Sequence, residues 1–235
     1  IMYRYKTDAV AHLICGGFTK NETEDALIDL HYLGVKNILI LRGDPPQNER
    51  DFKPELNGHA HSIGLLNQVV NINNGTYIEE DIKDGFNTDF CIGVAGYPEK
   101  HFEAPNLSAD IKHMKEKVDA GADYIVTQMF FNNKKYFDFV HVCKEKGINV
   151  PIIPGLKPIT KKSQVYKIPS TFHVDIPEDL FNAIDKCKND EQAAKVGIEW
   201  TIHQGKELLK AGAPCLHFFT MSNPTPIIEI AKVIF

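Results

Sequence analysis

Short apolar runs alternate with longer amphipathic stretches along the chain, and this alternation predicts a parallel sheet. In the amphipathic stretches apolar residues recur at helical spacing, whereas the short runs are rich in Val, Ile, Leu and Phe. Strands that alternate with helices in this way are typical of βαβ units. The predicted strands are 12–16, 37–42, 90–97, 124–130, 151–155 and 215–220.

The predicted helices lie between and after these strands. Gly34 fits the glycine position that ends a helix. Ser108 is predicted to cap the helix whose apolar stripe includes Ile111 and Met114. The proline-containing piece between residues 168 and 190 is predicted to be irregular. The predicted helices are 21–33, 61–71, 108–120, 135–146, 163–168, 190–211 and 226–235.

Six strand-and-helix units indicate a single α/β domain over residues 1–235. A closed (β/α)8 TIM barrel has eight units and typically about 250 residues, so we expect such a barrel with its first two βα units missing from this chain. Ile1–Ala11 reads as the tail of another element. An open doubly wound sheet also fits six units. The turn Cys15–Phe18 lacks the GxGxxG pattern, so a Rossmann dinucleotide site has no support.

The chain carries a net charge of -5 and has no block of Lys or Arg. Nucleic acids and anionic membranes bind clustered positive charge, so we expect neither of them as a partner and infer a small-molecule ligand. No apolar run approaches the roughly 18 residues of a membrane helix. The five cysteines lack the spacing of a metal site, and their odd number excludes complete disulfide pairing. Reduced thiols in a cytoplasmic protein are the expected state.

Candidate chemistry is expected at the carboxyl ends of the strands, because the loops that follow them form one face of a parallel barrel. The second predicted strand ends in Arg42, Gly43 and Asp44. Because alternate residues of a strand point to the same side, Arg42 and Asp44 are expected to lie on one side of the chain. Gly43 between them lets a ligand approach the backbone. An arginine and an aspartate that satisfy each other in a turn are the structural alternative.

In the third predicted strand, Gly93, Ala95 and Tyr97 share one parity, and His101 follows them. Small residues on this parity are expected to clear space for a flat ligand, which Tyr97 and His101 could hydrogen-bond or stack on. A structural role is the commoner one for a lone Tyr and His at a strand end.

Further polar groups lie on the next helix and strand. Asp110, His113 and Lys117 form a polar stripe on the helix, for which a solvated face is the usual explanation. Gln128 lies among apolar residues of the fourth strand and needs a hydrogen-bond partner if it is buried. A ligand can be that partner, although a backbone group is the commoner one.

Seven motifs follow one another in a specific order along nearly the whole chain. The Arg-Gly-Asp-Pro-Pro turn and the Tyr-Pro-Glu-Lys-His run are the most specific of them. The motifs are His12-Leu13, Leu41–Pro46, Val94–His101, Lys117–Ala122, Thr127–Phe131, Ile153–Gly155 and His217–Thr220. In this order they resemble the motifs of the flavin-dependent methylenetetrahydrofolate reductase family.

The resemblance implies an oxidoreductase of one-carbon metabolism and methionine biosynthesis that binds FAD non-covalently. It implies that NADH or NADPH gives a hydride to the flavin and leaves. The substrate 5,10-methylenetetrahydrofolate then takes the hydride and becomes 5-methyltetrahydrofolate. Members of this family usually assemble, so a homo-oligomer is implied. No metal is implied, and no motif separates NADH from NADPH.

The resemblance also implies site residues. Asp44 matches a catalytic aspartate near the flavin and the folate pterin, where a carboxylate can hydrogen-bond the pterin and modulate the cofactor. Gln128 and Gln164 match glutamines that contact folate, since an amide serves both donors and acceptors. The matching flavin-binding positions are His12, Arg42, Gly43, Asp44, Ser62, Tyr97, His101, Asp110, His113 and Lys117.

Three features depart from the family pattern. The family's general acid is a glutamate in a Phe-Glu-Phe segment of its first strand, and residues 1–235 contain no such segment. Asn223 stands where some members have an arginine that contacts folate, and Ile168 aligns with an aromatic residue that stacks on the substrate. A barrel that binds flavin or folate without catalysis is therefore the alternative function. A flavin barrel for another substrate, such as proline, is disfavoured by the two glutamines.

Overall fold

The computed structural model of the chain describes residues 1–44, 52–79 and 85–235. The strands are β1 Val10–Ile14, β2 Asn37–Leu41, β3 Cys91–Gly96, β4 Tyr124–Met129, β5 Ile152–Leu156 and β6 His217–Phe218. The helices are α1 Met2–Tyr5, α2 Lys20–Tyr32, α3 Ser62–Asn73, α4 Leu107–Asp119, α5 Asn133–Glu145, α6 Gln164–Phe172, α7 Glu178–Asp185, α8 Asp190–Lys210 and α9 Thr225–Ile234. Within these described ranges, no helix is both long and apolar enough to cross a bilayer.

The six strands form one sheet in the order β1-β2-β3-β4-β5-β6, so each strand lies beside the next one in sequence. The β1–β2, β2–β3 and β5–β6 pairs are parallel, with His12 opposite Leu39 and Leu156 opposite Phe218. A doubly wound sheet reverses its strand order at a switch point, and this order has no reversal. The predicted parallel α/β fold is therefore confirmed, and the doubly wound alternative is excluded.

The chain forms two compact units. Unit 1 consists of residues 1–95 and 113–125, and unit 2 consists of residues 96–112 and 126–235. In unit 1, α2 begins with a capping box in which the Thr19 hydroxyl accepts from the Glu22 amide at 3.2 Å and the Glu22 carboxylate accepts from the Thr19 amide at 2.8 Å. Such a cap contributes about 1 kcal/mol. The fully buried core of unit 1 includes Leu27, Ile38, Ile40, Leu65, Leu66 and Val69.

The core of unit 2 is built largely from the helices that follow β5. α8 passes so close to the chain after β5 that a Cβ at Gly197 would overlap the backbone of Ile159. Asn189 caps α8, because its side chain accepts from the Gln192 amide at 3.0 Å. The buried members of this core include Met129, Phe131, Ile159, Val165, Ile168, Leu180 and Ile184.

The segment predicted to be irregular is largely helical. It contains α7, an eight-residue helix in which Leu180 and Ile184 are fully buried. α6 also continues past Pro169 to Phe172, although a proline inside a helix removes one amide donor and its ring crowds the carbonyl group four residues earlier. Two buried residues spaced four apart are too short a pattern to identify α7 from sequence.

The start of α4 also differs from the prediction. The Asn106 side chain accepts from the Ala109 amide at 2.9 Å, so Asn106 rather than Ser108 caps this helix. Ser108 is exposed within the first turn. The predicted apolar stripe of α4 is confirmed, since Ile111 and Met114 are buried.

Candidate functional site

In unit 1, hydrogen bonds hold the carboxyl ends of β1 and β2 together. The Cys15 amide donates to the carbonyl oxygens of Leu41 and Arg42 at 3.2 and 3.1 Å. Gly43 follows with φ 88°, a left-handed conformation that glycine adopts without strain. The chain therefore turns sharply directly after the strand. Residues 45 and 46 of the predicted Arg-Gly-Asp-Pro-Pro turn lie outside the described ranges.

Two cations of unit 1 lie near the Cys15 thiol. Burial raises the pKa of Cys15 to about 11, while the charges of Arg42 and Lys117 act to lower it. The Arg42 guanidinium also lies over the Phe52 ring, 5.4 Å from its centroid, in a cation–π contact. The charges of a guanidinium and an ammonium thus both act on the Cys15 thiol.

Asp44 and His12 are exposed in unit 1, and neither forms a hydrogen bond or an ion pair with a residue of the described ranges. The interpretation of Arg42 and Asp44 as a self-satisfied pair is therefore not supported. His12 shares its parity on β1 with Val10 and Ile14, which are 50% and 39% exposed. This face of β1 offers an accessible apolar surface with an imidazole in its middle.

The remaining unit 1 positions differ in their surroundings. Ser62 is the first residue of α3 and is half-buried. His113 is exposed on α4, where its Nδ1 lies 3.2 Å from a carboxylate oxygen of Glu116. The polar stripe of α4 is thus divided, because His113 pairs with Glu116 on the surface whereas Lys117 lies near Cys15. Flavin contacts of Ser62 and His113 stay predictions.

Gly93 makes room for a side chain of the protein itself. A Cβ at Gly93 would overlap the Tyr124 ring, whose hydroxyl donates to the carbonyl oxygen of Ile38 at 3.1 Å. Burial raises the pKa of this phenol to about 12. The expectation that small residues of β3 clear space for a flat ligand is therefore wrong at Gly93.

In unit 2, four rings follow one another near the carboxyl end of β3. The Tyr97 and His101 rings meet edge to face, with centroids 4.7 Å apart. The His101 and Phe102 centroids are also 4.7 Å apart, and Phe102 stacks on His173 at 5.0 Å. Phe102 is 53% exposed. The rings form an accessible surface on which a flat heteroaromatic ligand can stack.

Charged side chains hold the loop after Tyr97 in one conformation. Lys100 adopts a positive φ of 81°, and its ammonium donates to the carbonyl oxygens of His101 and Ala104 at 3.3 and 2.8 Å. The Asp110 carboxylate accepts from the His101 amide at 2.8 Å. Asp110 therefore orients His101 through its backbone, and Lys100 is a loop-ordering residue that sequence reasoning missed.

The Glu99 carboxyl group is unevenly satisfied. Oε2 accepts from the Asp175 amide at 2.8 Å, whereas Oε1 is buried and has no hydrogen-bond partner among the described residues. Burial raises the pKa of Glu99, and the Asp175 amide acts in the opposite direction. The Tyr97–His101 run is thus tied to the segment around Asp175 within unit 2.

Gln128 and Gln164 use their side-chain oxygens within unit 2. Gln128 Oε1 accepts from the Met129 amide at 3.0 Å, and Gln164 Oε1 accepts from the Thr160 and Lys161 amides at 2.7 and 3.1 Å. Their nitrogens form no hydrogen bond within the part of the chain that the structure describes. Both half-buried side chains therefore have NH2 donors available, which favours a ligand with acceptor atoms.

Lys157 directly follows β5 and is only 8% exposed. Burial lowers its pKa, because the charged form loses solvation. Sequence reasoning missed this residue. The available signal was a charged residue directly after an apolar strand, which is also the position of Arg42 after β2.

The two substituted family positions have ordinary structural surroundings. Ile168 is buried in the core of unit 2, where Val165 and Leu180 are fellow members. Asn223 is exposed, and its side chain accepts from the Thr225 amide at 3.3 Å. Among the residues that the structure describes, no group of three or more His, Cys, Asp or Glu side chains could hold a metal ion.

The sequence profile of the methylenetetrahydrofolate reductase family matches residues 1–234. The chain is 33% identical over 228 residues to a probable methylenetetrahydrofolate reductase (NADPH) of Caenorhabditis elegans, covering 96% of this chain and 32% of that protein. It is 34% identical over 224 residues to the 5,10-methylenetetrahydrofolate reductase of Salmonella typhimurium, covering 95% of this chain and 69% of that protein. The chain thus spans only part of each relative.

A solved structure supports the fold. A Clostridium thermocellum protein that binds two copies of 5-methyl-5,6,7,8-tetrahydrofolic acid is similar with a TM-score of 0.59. The two sequences are 14% identical, and the match covers 99% of this chain and 74% of that chain. At this level of identity the similarity concerns the fold alone.

Proposed function

Because the chain belongs to the methylenetetrahydrofolate reductase family, we propose that the protein reduces 5,10-methylenetetrahydrofolate to 5-methyltetrahydrofolate with NADH or NADPH. The observation that carries the proposal is the family match over residues 1–234. The exposed Asp44 carboxylate and the NH2 donors of Gln128 and Gln164 support it, because a pterin edge carries both donors and acceptors.

FAD is the proposed cofactor. When bound, it would accept a hydride from NAD(P)H and pass it to the methylene carbon of the folate. The unit 1 residues fit such a group: Arg42 and Lys117 are cationic side chains whose charges both act on Cys15, and Gly43 allows close approach to the backbone. His12 lies on an accessible face of β1. Ser62 and His113 are proposed as further contacts on the resemblance alone.

The unit 2 residues are proposed to stack and to orient. Tyr97 and His101 offer ring surfaces for a flat cofactor. Asp110 keeps the His101 backbone in place, so its proposed contribution to cofactor binding includes this positioning. Gln128 and Gln164 would donate their NH2 hydrogens to acceptor atoms of the folate.

Asp44 is proposed to hold the substrate. Its carboxylate is exposed and unpaired within the described ranges, so it can accept hydrogen bonds from N–H groups of a pterin without first breaking an internal pair. The role proposed for Asp44 is therefore both binding and electrostatic.

The wider architecture is also a proposal. The sequential order of the strands supports a (β/α)8 barrel to which this chain contributes six strands, since a complete barrel has eight. Homo-oligomeric assembly is proposed from the resemblance. The five cysteines are free thiols, which supports a reducing, cytoplasmic location.

The test uses the full-length protein. We expect a yellow protein with flavin absorption bands that oxidises NADH or NADPH with menadione as acceptor and reduces methylenetetrahydrofolate. Loss of both activities in a flavin-loaded protein would contradict the proposal. Stoichiometric binding of flavin and folate without turnover would instead support the alternative of a non-catalytic binding barrel.

A further inference from the structure

Lys157 is a buried cation in unit 2 without a counter-charge of its own. It is 8% exposed, and its ammonium forms no hydrogen bond or ion pair with residues 1–44, 52–79 or 85–235. The half-buried Lys135, by contrast, pairs with Asp175 at 3.4 Å. Taking an ammonium out of water without a partner is unfavourable. Such a cost is tolerated where a ligand completes the interaction.

The backbone before Lys157 is held from both sides. The Gly155 amide donates to the Thr127 hydroxyl at 2.9 Å, and a Cβ at Gly155 would overlap the backbone of Thr127. On the other side, the Phe219 amide donates to the Leu156 carbonyl oxygen at 2.9 Å. β5 therefore fixes the Cα position of Lys157 on a rigid element, as a preorganised binding group requires.

Two amide donors lie near the same strand ends. Gln128 directly follows Thr127 in β4, and Gln164 opens α6, the helix after β5. The oxygens of both amides are occupied by backbone N–H groups. Together with Lys157, Gln128 near the end of β4 and Gln164 in the helix after β5 supply amide donors and one uncompensated positive charge. Such a set selects a ligand that carries acceptor oxygens with negative charge.

We propose that Lys157 is a further substrate-binding residue whose ammonium binds an anionic or strongly polarised oxygen of the folate. This proposal rests on the proposed function and names an additional residue of that site. Folates carry such oxygens in two places, the glutamate carboxylates and the oxygen of the pterin ring. Both sources share the chemistry that a buried ammonium recognises.

The test compares substitutions in the full-length protein loaded with FAD. Lys157→Met removes the charge but keeps an unbranched apolar side chain. Lys161→Met is the matched control, because Lys161 is exposed in the same loop and bonds Gln164 through its backbone N–H and carbonyl groups, not through its side chain. Affinity for 5-methyltetrahydrofolate is measured by equilibrium dialysis, and flavin content and thermal midpoint are measured for each variant.

We expect Lys157→Met to weaken 5-methyltetrahydrofolate binding about 10- to 100-fold, the usual effect of removing a charged hydrogen-bond partner. Lys161→Met should change it less than about twofold, as exposed charges do. Flavin content should stay unchanged, and the thermal midpoint without folate should not fall, since an unpaired buried charge has been removed. Lys157→Gln provides a second variant with a neutral polar group if the methionine variant does not fold.

A tetrahydropterin without the glutamate tail separates the two oxygen sources. Weaker binding of both ligands by Lys157→Met supports the pterin oxygen, whereas weaker binding of the folate alone supports the carboxylates. Equal folate affinity in the wild type and both Lys157 variants would overturn the proposal for Lys157 only. A Lys157→Met variant that loses flavin but keeps its folate affinity would also overturn it. A wild-type protein that binds no folate would overturn the proposed function as well.

Discussion

The Tyr124 ring fills the space that a side chain at position 93 would need, and Gly93 is therefore the residue that lets Tyr124 pack against β3. The Tyr124 hydroxyl donates across the sheet to the Ile38 carbonyl oxygen at 3.1 Å. Residues of β2, β3 and β4 are thereby linked through one phenol. Gly93 therefore has a packing role. The sequence pattern alone does not show whether a small residue in β3 makes room for a side chain or for a ligand.

Gly93→Ala should destabilise the protein by about 1–3 kcal/mol, because the added methyl group forces Tyr124 to move in a packed interior. The measurement is the free energy of unfolding in urea. Tyr124→Phe serves as the comparison and should cost about 1 kcal/mol through the lost hydrogen bond alone. If Gly93→Ala kept full stability and lost only flavin, Gly93 would be a ligand-clearance position and the packing explanation would be wrong.

Asp44→Asn should leave stability nearly unchanged, within about 0.5 kcal/mol, because Asp44 is exposed and unpaired in the described part of the chain. Methylenetetrahydrofolate reduction should fall by about 100-fold, since a positioned carboxylate commonly contributes that much or more. Asp25→Asn, on the exposed surface of α2, is the control and should retain activity. Unchanged folate kinetics in Asp44→Asn would remove Asp44 from the proposed site.

The strands and most helices could be predicted from sequence because apolar periodicity reports burial directly. The motif order likewise identified Asp44 and Gln128 as candidates. The one side-chain oxygen of Gln128 is already satisfied by the backbone amide of Met129, and no sequence pattern records such a contact. Lys157 was missed for a similar reason, because its burial arises from the packing of chain segments around β5 rather than from its sequence neighbours.

Tyr136 should make stability depend on alkaline pH. Burial raises its pKa from 10.0 to about 12, so between these values the unfolded chain loses the proton first. The folded state then holds more protons, and stability falls as the pH rises through this window. We expect the urea midpoint of the wild type to decline from pH 10 upward.

Tyr136→Phe should flatten part of that decline. At pH 8 it should cost about 1 kcal/mol, because the hydroxyl donates to the buried Ile152 carbonyl oxygen at 2.7 Å. Tyr166→Phe, at an exposed phenol, should change neither the stability at pH 8 nor its decline at alkaline pH. A decline of equal steepness in Tyr136→Phe and wild type would assign the pH dependence to other groups, such as Tyr124.

Glu99→Gln should raise the thermal midpoint at pH 7. The pKa of Glu99 is raised by burial, so the folded protein keeps this proton to a higher pH than the unfolded chain does. The raised pKa stabilises the folded protein fully at pH values below 4.5, the ordinary pKa of a glutamate. This stabilisation is lost as the pH rises through the pKa of Glu99 in the folded state. A glutamine keeps an acceptor for the Asp175 amide and removes the charge at the unpartnered Oε1. The difference in thermal midpoint between Glu99→Gln and the wild type should therefore shrink as the pH falls toward 4.

Glu229→Gln is the control, because Glu229 is exposed on α9. Its thermal midpoint should differ from that of the wild type by the same small amount at each pH. A lower midpoint for Glu99→Gln at pH 7 would mean that the ionised carboxylate itself stabilises unit 2.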